Sequence, residues 1–159
     1  MTNKLVYFFV LLLIALSTGC DRNRVYEKNL RIPGAEWINT NVPYFNVTIN
    51  DTSAAHNIYI NVRNSGKYRY SNLYLFITTK APNGNTLKDT VDIILADNRG
   101  KWLGKGLGDI YFNQILYKKN IRFPYRGIYT FQIEQAMRED TLHDITDIGL
   151  RVEKAVQSR

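Results

Sequence analysis

The residue best placed to carry chemistry is Cys20, the only cysteine among 159 residues. It follows Lys4, an unbroken apolar run from Leu5 to Leu16, and the small residues Ser17, Thr18 and Gly19. Twelve apolar residues make a helix of about 18 Å, well short of a hydrocarbon core of ~30 Å. The run therefore suits a secretory signal, with a basic start, a short apolar centre and a small-residue cleavage site. A lone cysteine has no disulfide partner within the chain, so the fold must hold by its core.

Gly19-Cys20 directly after the apolar run resembles the lipobox of bacterial lipoproteins. That resemblance implies diacylation of the Cys20 thiol and removal of residues 1–19. Cys20 would then be the first residue and lipid the membrane attachment, firm because every buried CH₂ adds about 0.8 kcal/mol.

Other chemistry is hard to assemble. His56 and His143 are the only histidines, neither has a histidine partner at metal-ligand spacing, and both read as ordinary surface residues. No Gly-x-Ser-x-Gly elbow is present. The stretch Gly104-Lys105-Gly106-Leu107-Gly108 lacks the Gly-x-x-x-x-Gly-Lys-Ser/Thr order of a phosphate loop and reads as a bent connection between strands. Glu139, Asp140, Asp144 and Asp147 match no calcium loop, so they read as a solvated acidic segment. No catalytic residue, metal site or cofactor is expected.

What remains is a mixture of rings and bases. Lys67-Tyr68-Arg69-Tyr70, Trp102 and Arg122-Phe123-Pro124-Tyr125 combine the residue types that anchor interfaces, because such side chains bury large area while keeping a polar end. Lys67, Tyr68, Arg69, Tyr70, Trp102, Arg122 and Tyr125 are accordingly the partner-binding candidates. A core is the favoured place for any single ring, Trp102 and Phe123 included, and the Tyr68/Tyr70 pair, interleaved with Lys67 and Arg69, is the better interface candidate. Exposed rings are also platforms for sugars, so the alternative reading is a module that binds glycan or peptidoglycan.

The elements that must position these residues have a period of two. Phe45, Val47 and Ile49 alternate with polar neighbours, and so do Ile58-Ile60-Val62, Leu73-Leu75-Ile77, Tyr129-Phe131-Ile133 and Ile148-Leu150-Val152. Leu87 to Leu95 and the aromatic Ile110 to Tyr117 add two weaker runs. Alternation puts one face in a core and the other in water. Turn residues such as Asn64-Ser65-Gly66, Pro82-Asn83-Gly84 and Asn98-Arg99-Gly100 separate the runs. Seven short strands predict an all-β fold, a single antiparallel β-sandwich of immunoglobulin-like or jelly-roll type over 37–159. Residues 20–36, with few large apolar side chains and Pro33-Gly34, read as the lipidated cysteine and a tether. Only Glu139 to Asp147 suggests a helical turn.

Formal charge is +7, less one when Lys4 leaves with the signal. The excess favours anionic neighbours such as lipid headgroups or cell-wall polymers. An exported chain does not meet nucleic acid, so none is expected as a partner.

Four stretches read together, RNSGKYRYSNLYLF from Arg63, KWLGKGLGD from Lys101, NIRFPYRGIYTFQIEQAM from Asn120 and DIGLRVEK from Asp147, are distinctive. In that order they resemble the GldH gliding-motility lipoproteins of Bacteroidetes. The resemblance implies a non-enzymatic envelope lipoprotein, a scaffold or binding subunit of the gliding apparatus that works alongside type IX secretion. Its partners would be other motility or secretion lipoproteins and envelope proteins. It also favours the outer membrane facing the periplasm over the inner membrane, which stays open as the alternative, since Asp21-Arg22-Asn23-Arg24 is net basic rather than acidic. The same lineage glycosylates Asp-Thr followed by an aliphatic residue. Asp89-Thr90-Val91 and Asp140-Thr141-Leu142 fit, with Thr141 expected to be the more accessible.

Overall fold

The computed structural model describes residues 21–156. Cys20 and the signal segment lie outside the described residues. Eleven strands form two facing antiparallel sheets and a small accessory pair. In chain order they are β1 (Arg24–Arg31), β2 (Glu36–Ile38), β3 (Tyr44–Ile49), β4 (His56–Ser65), β5 (Asn72–Lys80), β6 (Thr86–Ile94), β7 (Lys105–Leu107), β8 (Ile110–Ile121), β9 (Gly127–Gln135), β10 (Thr141–His143) and β11 (Ile145–Lys154). The larger sheet runs β1-β11-β4-β8-β7, the second β3-β9-β5-β6, and β2 pairs with β10. This is a β-sandwich.

The core follows the alternation. Phe45, Val47 and Ile49, then Ile58, Ile60 and Val62, then Leu73, Leu75 and Ile77 are all buried, as are Tyr129, Phe131, Ile133, Ile148, Leu150 and Val152. Burying such side chains contributes roughly 1.5–3 kcal/mol each. The weak run Leu87–Leu95 is an edge strand: Ile93 and Leu95 are buried, whereas Leu87 is exposed.

Three expectations are corrected. Residues read as a tether contain β1, which pairs with β11 from Arg24↔Glu153 to Arg31↔Asp147. An edge strand needs only one apolar face, so Tyr26 and Leu30 packed against the core suffice. The segment Glu139–Asp147 holds β10 rather than a helical turn, because Leu142 is drawn into the core opposite Trp37. His56 is buried, only 2% exposed, with its ring edge-on to Phe123 at 5.3 Å.

Every long strand crosses the sandwich, so the connections fall at two ends. One end gathers the start of β1, the β3–β4, β5–β6 and β8–β9 connections and the finish of β11. We call it the leading end, because the described chain starts there. The trailing end carries the β4–β5 and β6–β7–β8 connections and the β2–β10 pair. Ten-residue β4 separates the ends by about 33 Å.

Candidate functional site

The aromatic and basic candidates divide between these ends. Lys67, Tyr68, Arg69, Tyr70 and Trp102 stand at the trailing end, Arg122 and Tyr125 at the leading end. They do not form one surface. Nor do Trp102 and Tyr125 form a single sugar platform.

Alternation at the β4–β5 turn sorts its residues. Lys67 and Arg69 point to solvent, while Tyr68 is 4% exposed and donates its hydroxyl to the Asn72 carbonyl at 3.0 Å. Burial pushes the Tyr68 phenol well above its ordinary pKa. The Tyr68 ring meets Tyr70 edge-on at 5.7 Å and lies 6.3 Å from Trp102, which in turn packs 5.7 Å from Tyr111. Tyr68 is therefore a core residue and not a contact residue, the opposite of its expected role. Tyr70 donates to Glu139 at 2.5 Å, and Arg69 lies 3.8 Å from the same carboxylate.

The glycine stretch explains itself by close approach. A Cβ on Gly106 would sit 2.9 Å from the Tyr111 ring, and one on Gly104 2.8 Å from Asn113 Oδ1. Side-chain-free residues let β7 lie down on β8. Beside this strand, Leu103 is 57% exposed and Ile94 54%, and both line a cleft of about 390 Å³ with Phe112 and Ile115.

The acidic segment does not converge. Glu139 serves Tyr70, Asp140 accepts from Asn39, Asp144 from Ser65, and Asp147 pairs with Arg63. Among the described residues no group of His, Cys, Asp or Glu side chains could hold a metal ion. Thr141 is half-buried in β10 opposite Ile38, whereas Thr90 is exposed on β6, the reverse of the expected accessibility.

At the leading end Arg151 of β11 is the organising charge. Its guanidinium reaches Asp21 at 2.5 Å, Glu27 at 2.8 Å and Glu153 at 2.8 Å, with its side chain 14% exposed. Burial works against that charge, but hydrogen bonds to the three carboxylates outweigh it and hold the pKa above the usual arginine value. The Arg151 bond in turn holds the Asp21 carboxyl below its ordinary range. The residue following Cys20 is thus clasped to the sheet, a connection that polar spacing alone gave no sign of.

An apolar groove of about 360 Å³ opens on the flank between β6 and β8 at the same end. Ile58, Phe123, Tyr129 and Phe131 form its floor, and Leu87, Lys118 and Arg122 line its sides. A polar latch crosses the flank. Tyr117 donates to Asp89 at 2.5 Å and Lys118 lies 2.8 Å from the same carboxylate, which lowers the Asp89 pKa.

Buried His56 yields a pH prediction. Its Nδ1 has no hydrogen-bond partner among the described residues, and burial holds its pKa below the ordinary value of 6.5. The native state keeps it neutral while the unfolded chain takes up a proton. Stability is thus full above pH 6.5 and falls as pH drops through 6.5 toward the native pKa, by up to about 1.4 kcal/mol per pH unit. Asp21, Asp51 and Asp89, all lowered from 3.8, act only at still lower pH. Urea titrations between about pH 7.5 and about pH 5.5 should show the slope, and His56→Leu should flatten it. An unchanged slope in that variant would assign it elsewhere.

Similarity to known proteins decides the family. The profile of the GldH lipoprotein family matches residues 24–152, from the first residue of β1 to near the end of β11. The chain belongs to the GldH lipoprotein family. A gliding motility lipoprotein GldH homolog of Christiangramia forsetii is 36% identical over 157 residues, covering 94% of this chain and 95% of its own. The gliding motility lipoprotein GldH of Flavobacterium johnsoniae is 32% identical over 153 residues, covering 91% of this chain and 94% of its own. GldH membership makes the protein a gliding-motility lipoprotein, lipid-anchored at the cell envelope. The GldH profile begins inside the segment expected to be a tether, in agreement with the placement of β1 in the folded domain.

Proposed function

We propose that Cys20 carries the lipid and that the sandwich is a non-enzymatic scaffold or binding subunit, presented to protein partners by its trailing end. The observation that carries this reading is the pair of exposed apolar side chains Leu103 and Ile94 beside Trp102, with Lys67 and Arg69 projecting from the neighbouring turn. Exposed apolar side chains edged by bases are the composition of an interface. Other envelope lipoproteins of the motility and secretion-associated apparatus are the partners the family suggests. The outer membrane facing the periplasm is the favoured site, in keeping with the basic Arg22 and Arg24.

Whole-cell crosslinking tests the reading. A photoreactive residue at position 103 should capture envelope lipoproteins or secretion components, and Lys67→Ser with Arg69→Ser should reduce that recovery several-fold. Tyr68 is unsuited to the purpose because its removal would damage the core. Absence of adducts at 103, with adducts elsewhere on the domain, would overturn the assignment of this end. Fatty-acid labelling lost in Cys20→Ser tests the anchor separately.

A further inference from the structure

The two ends differ in charge as well as in what they connect. Arg22, Lys80, Lys119, Arg122 and Arg126 all lie at the leading end, and none has an ion-pair partner among the described residues. The acids there are already engaged: Asp21 and Glu153 by Arg151, Asp51 by Lys154 at 3.9 Å, Asp89 by Lys118. At the trailing end Asp97, Asp109, Glu139 and Asp144 stand among Lys67, Arg69, Arg99 and Lys101, so charge there is balanced. The protein's basic excess is therefore concentrated at one end.

That end is also where the chain departs toward residue 20. Asp21 is held by Arg151 and β1 starts at Arg24, so the described chain begins directly against the sheet. Tyr125, 45% exposed on the β8–β9 turn, adds an amphipathic ring of the sort enriched at membrane interfaces.

We propose that the leading end is a membrane-docking face, on which Arg22, Lys80, Lys119, Arg122 and Arg126 contact the headgroups of anionic phospholipids. The proposal rests on the reading that Cys20 is the lipid-bearing residue, which places a bilayer at this end. Each base near an anionic surface strengthens binding about fivefold, and the attraction fades beyond a Debye length of ~10 Å at 0.1 M salt. The trailing end, about 33 Å away, contributes nothing.

The decisive experiment removes the lipid from the question. Residues 21–159 retain all eleven strands and the whole described core, so this chain can be purified without its anchor. Its co-sedimentation with vesicles of phosphatidylglycerol and phosphatidylcholine should exceed that with pure phosphatidylcholine and should fall at high salt. Replacing Lys119, Arg122 and Arg126 with serine should weaken binding about a hundredfold. The charge-matched triple Arg99, Lys101 and Arg138 to serine should bind as the parent does. Equal losses in both triples would mean that net charge alone is sensed, and no preference for anionic vesicles would end the proposal. Either failure leaves the acylation of Cys20 untouched, since fatty-acid labelling of the full chain reads that independently. Circular dichroism of each triple confirms that the fold is retained.

Discussion

Trp37→Ala is expected to destabilise the domain by about 3–5 kcal/mol, lowering the melting temperature by roughly 10–20 °C. The small β2–β10 sheet has three register pairs, too few to hold by backbone hydrogen bonds alone. Its stability comes from Trp37, 0% exposed, which faces Leu142 across the pair and packs with Ile32. The indole Nε1 also donates to the Asn41 carbonyl at 2.8 Å and fixes the turn leading to β3. Alanine leaves a large cavity and an unpaired carbonyl. Trp37→Phe keeps most of the volume and should lose chiefly the hydrogen bond and part of the packing, so its melting point should fall between the two. A shift of only a degree or two in the alanine variant would show that the trailing end does not depend on this side chain.

Gly149→Val should cost about 2–4 kcal/mol by another route, expulsion of β1 from the sheet. A Cβ at 149 would lie 2.0 Å from Asn29 Oδ1 and 2.8 Å from the Lys28 carbonyl oxygen. The side chain can turn away, but the backbone oxygen cannot move without breaking the pairing. Gly149 also leaves the space over which Asn61 of β4 reaches across β11 to donate to Asn29 at 3.0 Å, while Gln114 of β8 donates to Asn61 at 3.1 Å. This polar row spans four strands, and valine cuts it, leaving the buried Asn61 amide only the longer bond to Glu27 at 3.3 Å. Hydrogen exchange should show the Arg24–Arg31 amides losing protection while those of β4 and β9 keep theirs. Adding Asn29→Ala should recover only part of the stability, because the Lys28 carbonyl remains in the way. Full recovery would show that the side-chain contact alone was responsible.

How much of this was legible in the sequence follows from period and length. The seven runs with period two all became strands, because one-sided burial writes itself directly into alternation. β1 escaped notice because Glu27, Asn29 and Arg31 occupy its solvent face and only Tyr26 and Leu30 pack inward, which leaves a polar composition that looks like linker. Strands of three residues, such as β2 and β10, are too short to display a period at all. The polarity of His56 suggests water, whereas its position two residues before Ile58 in the same alternation turns it inward.

The candidate surface was partly legible in the same way. In Lys67-Tyr68-Arg69-Tyr70 the interleaving that suggested a contact patch is alternation again, with the bases out and Tyr68 in. That Tyr68 and Tyr125 lie at opposite ends could have been counted. Three long strands, β5, β6 and β8, separate them, and an odd number of crossings reverses the end. The Arg151 clasp on Asp21 was not legible, since nothing in the spacing of residues 130 positions apart joins them before the sheet is built.

That clasp has a mechanical consequence. With the start of the described chain fastened by Arg151 and β1 lying antiparallel to β11 over seven registered pairs, a pull on the backbone ahead of Asp21 while the trailing end is gripped runs along the strand axis. The load is then shared in shear by all the hydrogen bonds of that pair at once, rather than peeling them one after another. A shackle of this kind passes force applied ahead of Asp21 into the body of the domain without the slack of a leash.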